Sequence, residues 1–237
     1  MRVLVTGGSR GIGAECVRKF AKEGNVVSFI YNKSDDAAGE LSRETGATAI
    51  KADVADKTSL KLAVGAAAVK MGGIDVLVNN AGVSLIKLFT DVEDDELENL
   101  FAVNLIGATV ACREAARVMV SQKFGRIINI GSVWGRTGAS CEVVYSASKA
   151  GLEGLTKALA KELGPSGITV NCIEPGVIDT EMNSELGGEA MAELCDETPL
   201  CRIGTTTDVA EAVLWLASEK AGFITGQIIG VDGGFGL

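Results

Sequence analysis

Arg2-Val3-Leu4-Val5-Thr6-Gly7-Gly8-Ser9-Arg10-Gly11-Ile12-Gly13 is the stretch whose reading decides the fold. Val3–Thr6 is a short apolar run with strand character, and Gly13–Lys22 carries apolar side chains at helical spacing. A glycine-rich turn therefore joins a strand to a helix. Glycine lets such a turn close tightly and approach a pyrophosphate, which rests on the free N–H groups and positive dipole end of the helix. Gly-rich turns are often no more than tight connections. This one opens the first βαβ unit of an α/β pattern, which predicts dinucleotide binding at Gly7, Gly11 and Gly13. The spacing Gly7-x-x-x-Gly11-x-Gly13 is a variant of G-x-G-x-x-G.

Outward from that turn, short apolar strands alternate with helical stretches. Strands are expected at Val26–Tyr31, Thr48–Lys51, Val76–Asn79, Arg126–Gly131, Ile168–Ile173 and Gln227–Val231. Helices are expected at Asp35–Glu44, Thr58–Met71, Asp94–Val103, Ile106–Gln122, from Tyr145 to Leu163 and at Thr207–Ser218. Strands separated by helices of this length imply right-handed βαβ units and an α/β, doubly wound parallel sheet. No linker, repeat or low-complexity segment divides the chain, so residues 1–237 are expected to form a single domain. Thr180–Ile203 is acidic and Gly-interrupted and reads as a flap rather than as core.

Composition narrows the chemistry. Hydrophobic residues make up 47% of the chain, yet no apolar run nears the ~20 residues needed to cross a bilayer. The first strand starts at once, so no signal peptide is expected. A net charge of −9 argues against nucleic acid or an anionic membrane as partner. The six cysteines show no C-x-x-C pair and fall within helix or strand patterns, so reduced thiols in a cytoplasmic protein are expected. There is no histidine. Ser-His-Asp and Cys-His catalysis are thereby excluded and no metal site is expected, so acid/base work falls to Tyr, Lys or carboxylates.

Tyr145-Ser146-Ala147-Ser148-Lys149 meets that demand. Tyr145 and Lys149 stand at i and i+4, one turn apart on one helix face. An ammonium near a phenol favours the phenolate, so the pair predicts a tyrosine acid/base shifted from about 10 towards neutrality. Ser132, thirteen residues upstream, follows the apolar run Arg126–Gly131, at the strand end where open α/β sheets bind ligands. Taken alone, the pair is also what an ordinary amphipathic helix displays. The second strand ends Tyr31-Asn32-Lys33. An NAD-selecting site needs an acid there for the ribose hydroxyl. The neutral Tyr31, with Lys33 and Arg10 nearby, points to NADP(H) instead.

Together, Thr6-Gly-Gly-Ser-Arg-Gly-Ile-Gly13, Asn79-Asn80-Ala81-Gly82, Asn104, Ser132, Tyr145-Ser-Ala-Ser-Lys149 and Pro175-Gly176 resemble the short-chain dehydrogenase/reductase family, along the whole chain. Within it, the chain is most similar to 3-oxoacyl-[acyl-carrier-protein] reductases. The resemblance implies a seven-stranded Rossmann sheet with helices on both faces, usually in a homotetramer. It implies a cofactor cleft made by the turn with Ser9, Arg10 and Ile12, by Tyr31, Asn32 and Lys33, and by Asp53 and Val54 at the adenine. Asn80, Ala81 and Gly82 would support the cleft, and Pro175, Gly176, Val177, Ile178 and Thr180 would meet the nicotinamide end. Ser132 would hold the substrate oxygen and Tyr145 supply the proton. Lys149 would serve the tyrosine and the ribose, and Asn104, in a helix kink, would hold a water of a proton relay. Asn79 is also readable as a tie between strands.

Departures from that branch bear on the substrate. The branch usually carries Gly-Asn-x-Gly-Gln-x-Asn before the tyrosine, whereas this chain has Gly138-Ala139-Ser140-Cys141-Glu142-Val143-Val144. Glu142 could attract an amine-bearing substrate or face solvent. Ser166 replaces a basic residue before Gly167, while Lys123 keeps one cation for docking an acidic carrier. The segment from Ser132 to Glu142 also resembles reductases of the 5-aminopentanone modification of elongation factor P. An NADP-sensing regulator on this fold would be expected to lack Tyr145 or Lys149, and both are present.

Overall fold

The computed structural model describes residues 1–181 and 187–237. Strand β1 (Arg2–Thr6) leads through the glycine turn to helix α1 (Gly11–Lys22) and β2 (Val26–Tyr31). Next come α2 (Asp35–Thr45), β3 (Thr48–Lys51), α3 (Lys57–Met71) and β4 (Val76–Asn79). The chain continues with α4 (Asp94–Phe101), α5 (Ala108–Gln122), β5 (Gly125–Ile130), α6 (Val133–Thr137) and α7 (Val143–Leu163). It closes with β6 (Ile168–Pro175), α8 (Gly188–Glu197), α9 (Thr206–Ala217) and β7 (Ile228–Val231). All strand pairs are parallel, in one seven-stranded sheet ordered β3-β2-β1-β4-β5-β6-β7.

The period-two side-chain alternation of β1 builds the layers. Val3 and Val5 pack with α1, α2 and α9 on one face, whereas Leu4 packs with α3, α5 and α7 on the other. Strands buried on both faces explain the near-continuous apolar runs and the high apolar fraction. The fold expected from the sequence is the fold observed. Strand order reverses at β1, which pairs with β2 on one side and β4 on the other. A crevice therefore opens between the carboxyl ends of β1 and β4, where such sheets take their ligands.

Four local expectations are corrected. The kink expected between two helices is a π-helical stretch of six residues, Ala102–Gly107, that runs unbroken from α4 into α5. Part of the Thr180–Ile203 flap is regular. Gly188–Glu197 forms α8, because Ala190-Met191-Ala192-Glu193-Leu194 are strong helix formers whose signal the surrounding glycines and acids masked. Residues 182–186 of that flap lie outside the described residues. Helix α6, between Ser132 and the Tyr145 helix, was not expected at all. Finally, Cys141 and Cys201 lie in loops at φ 62° and 49°, not within helices or strands. Among the described residues no helix is long and apolar enough to cross a membrane.

Candidate active site

Ser132 leaves β5 and becomes the N-cap of α6, with its Oγ accepting the Trp134 N–H at 3.2 Å. Ser132 also lies beside the Tyr145 phenol and favours its ionised form. Tyr145 and Lys149 lie on one buried face of α7, at 8% and 4% exposure, with the Lys149 Nζ 5.6 Å from the tyrosine ring centre. Lys149 donates to the Ile130 carbonyl at 2.8 Å. The expected lowering of the tyrosine pKa is absent. Burial pushes the phenol up to about 12, the neighbouring Ser132 drawing it back only in part, and burial brings the Lys149 ammonium down to about 8. Desolvation outweighs charge proximity here. Tyr145 is thus a protonated donor and Lys149 an ammonium poised to release its charge.

Asn104 sits in the π-helical stretch and is fully buried. Its Nδ2 donates to the Val83 carbonyl (2.9 Å) and to Ser148 Oγ (3.2 Å), and its Oδ1 accepts the Val83 N–H (2.8 Å). The side chain therefore clamps the segment after β4 to α7. A Cβ on Gly82 would lie 3.4 Å from Asn104 Oδ1 and 3.5 Å from Lys149 Nζ, so Gly82 leaves a small polar gap between the two. Asn79 ties strands and helices together, as one reading of the sequence had it. Its Nδ2 reaches Asn129 Oδ1 (2.9 Å), and Asn129 in turn donates to Thr156 on α7 (2.8 Å).

The glycine turn is braced from the β4 side. Asn80 Nδ2 donates to the Gly7 carbonyl (2.9 Å), and Thr6 Oγ1 accepts the N–H groups of Asn80 and Ala81 (3.1 and 3.2 Å). Gly7 is held at φ 63°, a region costly for other residues, and a Cβ on Gly13 would strike the Gly7 carbonyl at 2.2 Å. Arg10 and Gly11 start α1 with no side-chain cap, which leaves the first-turn N–H groups for an anion. These features fit a dinucleotide pyrophosphate. Across the crevice Gly176 bonds to β7 through the Val231 carbonyl (3.1 Å), and Ile178 bridges in parallel to Gly204, with Gly204 N–H on the Val177 carbonyl at 2.9 Å. Thr180 then lies over Gly11, its methyl 3.6 Å from where a Cβ would be.

After β3, where the resemblance expects the adenine, Asp53 Oδ1 accepts the Ala55 N–H (2.9 Å), and the Val54 carbonyl abuts Gly107. Asn32 and Lys33 are exposed, and Lys33 has no ion-pair partner among the described residues. Arg10 reaches Glu181 at 2.7 Å. Tyr31 donates to Asp35 (3.1 Å), and Lys51 pairs with the same carboxylate (2.6 Å). Neither Asp35 nor Lys51 was singled out in the sequence; the signal was Lys51's position two residues before Asp53, and only strand register makes it meaningful.

A wall beside Ser132 is formed by Trp134, whose ring meets Phe235 edge-on at 5.4 Å. Glu142 is half-buried beside Trp134, so it does not simply face solvent. Burial raises its pKa, and its charge raises that of Tyr145. Phe235 and Arg136 of this wall were also missed. Arg136 binds Asp232 at 2.7 Å and so fixes the segment after β7 to α6.

A family model described as enoyl-(acyl carrier protein) reductase matches residues 7–236. The cyclic-di-GMP-binding biofilm dispersal mediator protein of Escherichia coli is 42% identical over 235 residues, covering 99% of this chain and 96% of that one. The 3-oxoacyl-[acyl-carrier-protein] reductase of Staphylococcus aureus is 40% identical over 236 residues, covering 98% and 96%. A solved short-chain dehydrogenase/reductase from Serratia marcescens superposes with a TM-score of 0.93 at 41% identity, over 99% of this chain and 97% of that one. With the crevice, the glycine turn and the Ser132–Tyr145–Lys149 geometry, these likenesses place the chain in the short-chain dehydrogenase/reductase family, as an NAD(P)-dependent oxidoreductase.

Proposed function

We propose that the chain is an NADPH-dependent ketoreductase, a single domain that reduces a 3-oxoacyl thioester to the 3-hydroxyacyl form. The observation that carries the reading is the buried Tyr145 phenol, with Ser132 beside it and the Lys149 Nζ 5.6 Å from its ring centre. A reduced nicotinamide, when bound, supplies hydride to the carbonyl carbon. Ser132 donates to the carbonyl oxygen as negative charge gathers there, and Tyr145 delivers the proton. Lys149, anchored on Ile130, holds the ribose side of the cleft and returns a proton to Tyr145. Asn104, clamped to Val83 and Ser148, sets the polar gap beside Gly82 through which a water relay reaches Lys149. The glycine turn, Asn80–Gly82, Asp53–Val54 and the Pro175–Thr180 segment bind the cofactor. The neutral Tyr31 and the cations Lys33 and Arg10 support the preference for NADPH.

The 3-oxoacyl substrate is supported by the S. aureus relative. Exposed apolar side chains, Trp215, Leu200 and Phe223, support assembly as a homotetramer. A second substrate reading rests on Glu142. A half-buried carboxylate between Trp134 and Tyr145 suits a ketone that carries an ammonium group, as in the 5-aminopentanone modification of elongation factor P. NADPH oxidation by the purified protein with acetoacetyl thioesters and with amino-ketones tests the proposal. NADPH binding without turnover of either substrate would overturn it.

A further inference from the structure

Tyr31 and Lys51 are register partners of β2 and β3, so their side chains rise from the same face at the carboxyl edge of the sheet. Asp35, the first residue of α2, lies between them. It accepts from Tyr31 Oη at 3.1 Å and from Lys51 Nζ at 2.9 and 2.6 Å. The Lys51 and Asp35 side chains are 56% and 59% exposed. Ion pairs this open contribute little to stability and exchange partners readily. Pairing Asp35 with Lys51 cancels two charges that would otherwise act oppositely on any anion arriving at Tyr31.

We propose that Asp35 and Lys51 are specificity-determining residues that set the choice between a 2′-phosphorylated and a free ribose. The inference deepens the cofactor reading of the same cleft. Lys51 is the phosphate ligand, and Asp35 is its placeholder. A doubly charged phosphate competes with the singly charged carboxylate for the same ammonium, and a released Asp35 repels it. A free ribose disturbs neither partner, and the pair stays closed. Asp35 therefore moderates the 2′-phosphate preference that the cations would otherwise produce.

The test uses adenosine 2′,5′-bisphosphate and adenosine 5′-monophosphate, which differ only in the 2′-phosphate, titrated calorimetrically into the full chain. Lys51→Ala should weaken the bisphosphate about tenfold and leave the monophosphate within about twofold, since one charge-assisted contact is lost. Asp35→Asn should tighten the bisphosphate several-fold and leave the monophosphate alone. In the double variant the two effects should be non-additive, because each residue acts through the other. Added salt should shrink both effects. Equal changes for both ligands, or none, would overturn the assignment. A wild type that holds both ligands equally tightly would sink the NADPH preference instead, and selective tightening by Asp35→Asn would then still uphold the pair.

Discussion

Lys149 Nζ donates to the Ile130 carbonyl at 2.8 Å, so this lysine of α7 is anchored on β5 two residues before Ser132. In the proposed reaction that bond holds the ammonium between Tyr145 and the cofactor ribose. Lys149→Ala should therefore damage NADPH affinity and turnover together, read by separate binding and single-turnover measurements. Burial lowers the lysine pKa to about 8, so its charge is present below that pH and lost above it. Carbonyl reduction should decline as pH rises through about 8. A rate that is flat well beyond that point would remove the charge from the mechanism.

Tyr145→Phe should lower carbonyl reduction by several orders of magnitude and leave NADPH affinity within a few-fold, because the phenol acts on the substrate oxygen. With a pKa of about 12 the phenol stays protonated across the assay range, so it adds no break of its own near neutrality. Substantial residual turnover in the variant would exclude Tyr145 as the proton donor.

Glu174 on β6 faces Glu153 on α7, and each keeps one buried oxygen, Oε1, without a hydrogen-bond partner among the described residues. Burial and the facing Glu153 raise Glu174 to about 7, while Arg136, with its Nε 3.5 Å away, opposes this. Lys157 lies 3.3 Å from Glu153, and Asp232 adds negative charge beside Arg136. A carboxyl raised above its unfolded value of about 4.5 makes the folded state bind the extra proton. Its stabilising effect is complete below about 4.5, falls as pH rises, and is gone above about 7. Glu174→Gln should flatten the fall of Tm between those limits relative to wild type. The difference should be on the order of 1–3 kcal/mol, or several degrees in a chain of this length. Parallel Tm curves for wild type and Glu174→Gln would show that Glu174 takes up no proton on folding in this range.

The two substrate readings part at two positions. Glu142→Gln should lower kcat/KM for an amino-ketone by about tenfold to a hundredfold and barely alter a neutral acetoacetyl thioester. Lys123 is exposed at the C-cap of α5. If an acidic carrier docks there, Lys123→Glu should weaken turnover of the carrier-bound substrate in a salt-dependent way and spare small thioesters. Indifference to both substitutions would leave only a generic ketoreductase.

What the sequence by itself determined were the features written in short-range patterns. The alternation of β1 with α1, the glycine turn and the i, i+4 spacing of Tyr145 and Lys149 each depend on residues within a few positions of one another. Helical period and strand run are local properties, so the doubly wound sheet and the shared face of α7 were legible. Asn104 was legible as a residue of a kinked helix, but the π-helical form of the kink was not, since it depends on the clamp to Val83 and Ser148.

Only the tertiary structure decided which charges meet and how dry they are. Lys51 stands beside Tyr31 through the register of β2 and β3, and Arg10 meets Glu181 across 171 positions of chain. Arg136 reaches Asp232 across 96. The expected low tyrosine pKa followed from proximity to Lys149, but burial of both groups reversed the balance. Pair identity and desolvation depend on the packing of elements distant in sequence. A motif fixes the spacing of its own residues, whereas the free energy of each charge is set by everything folded around it.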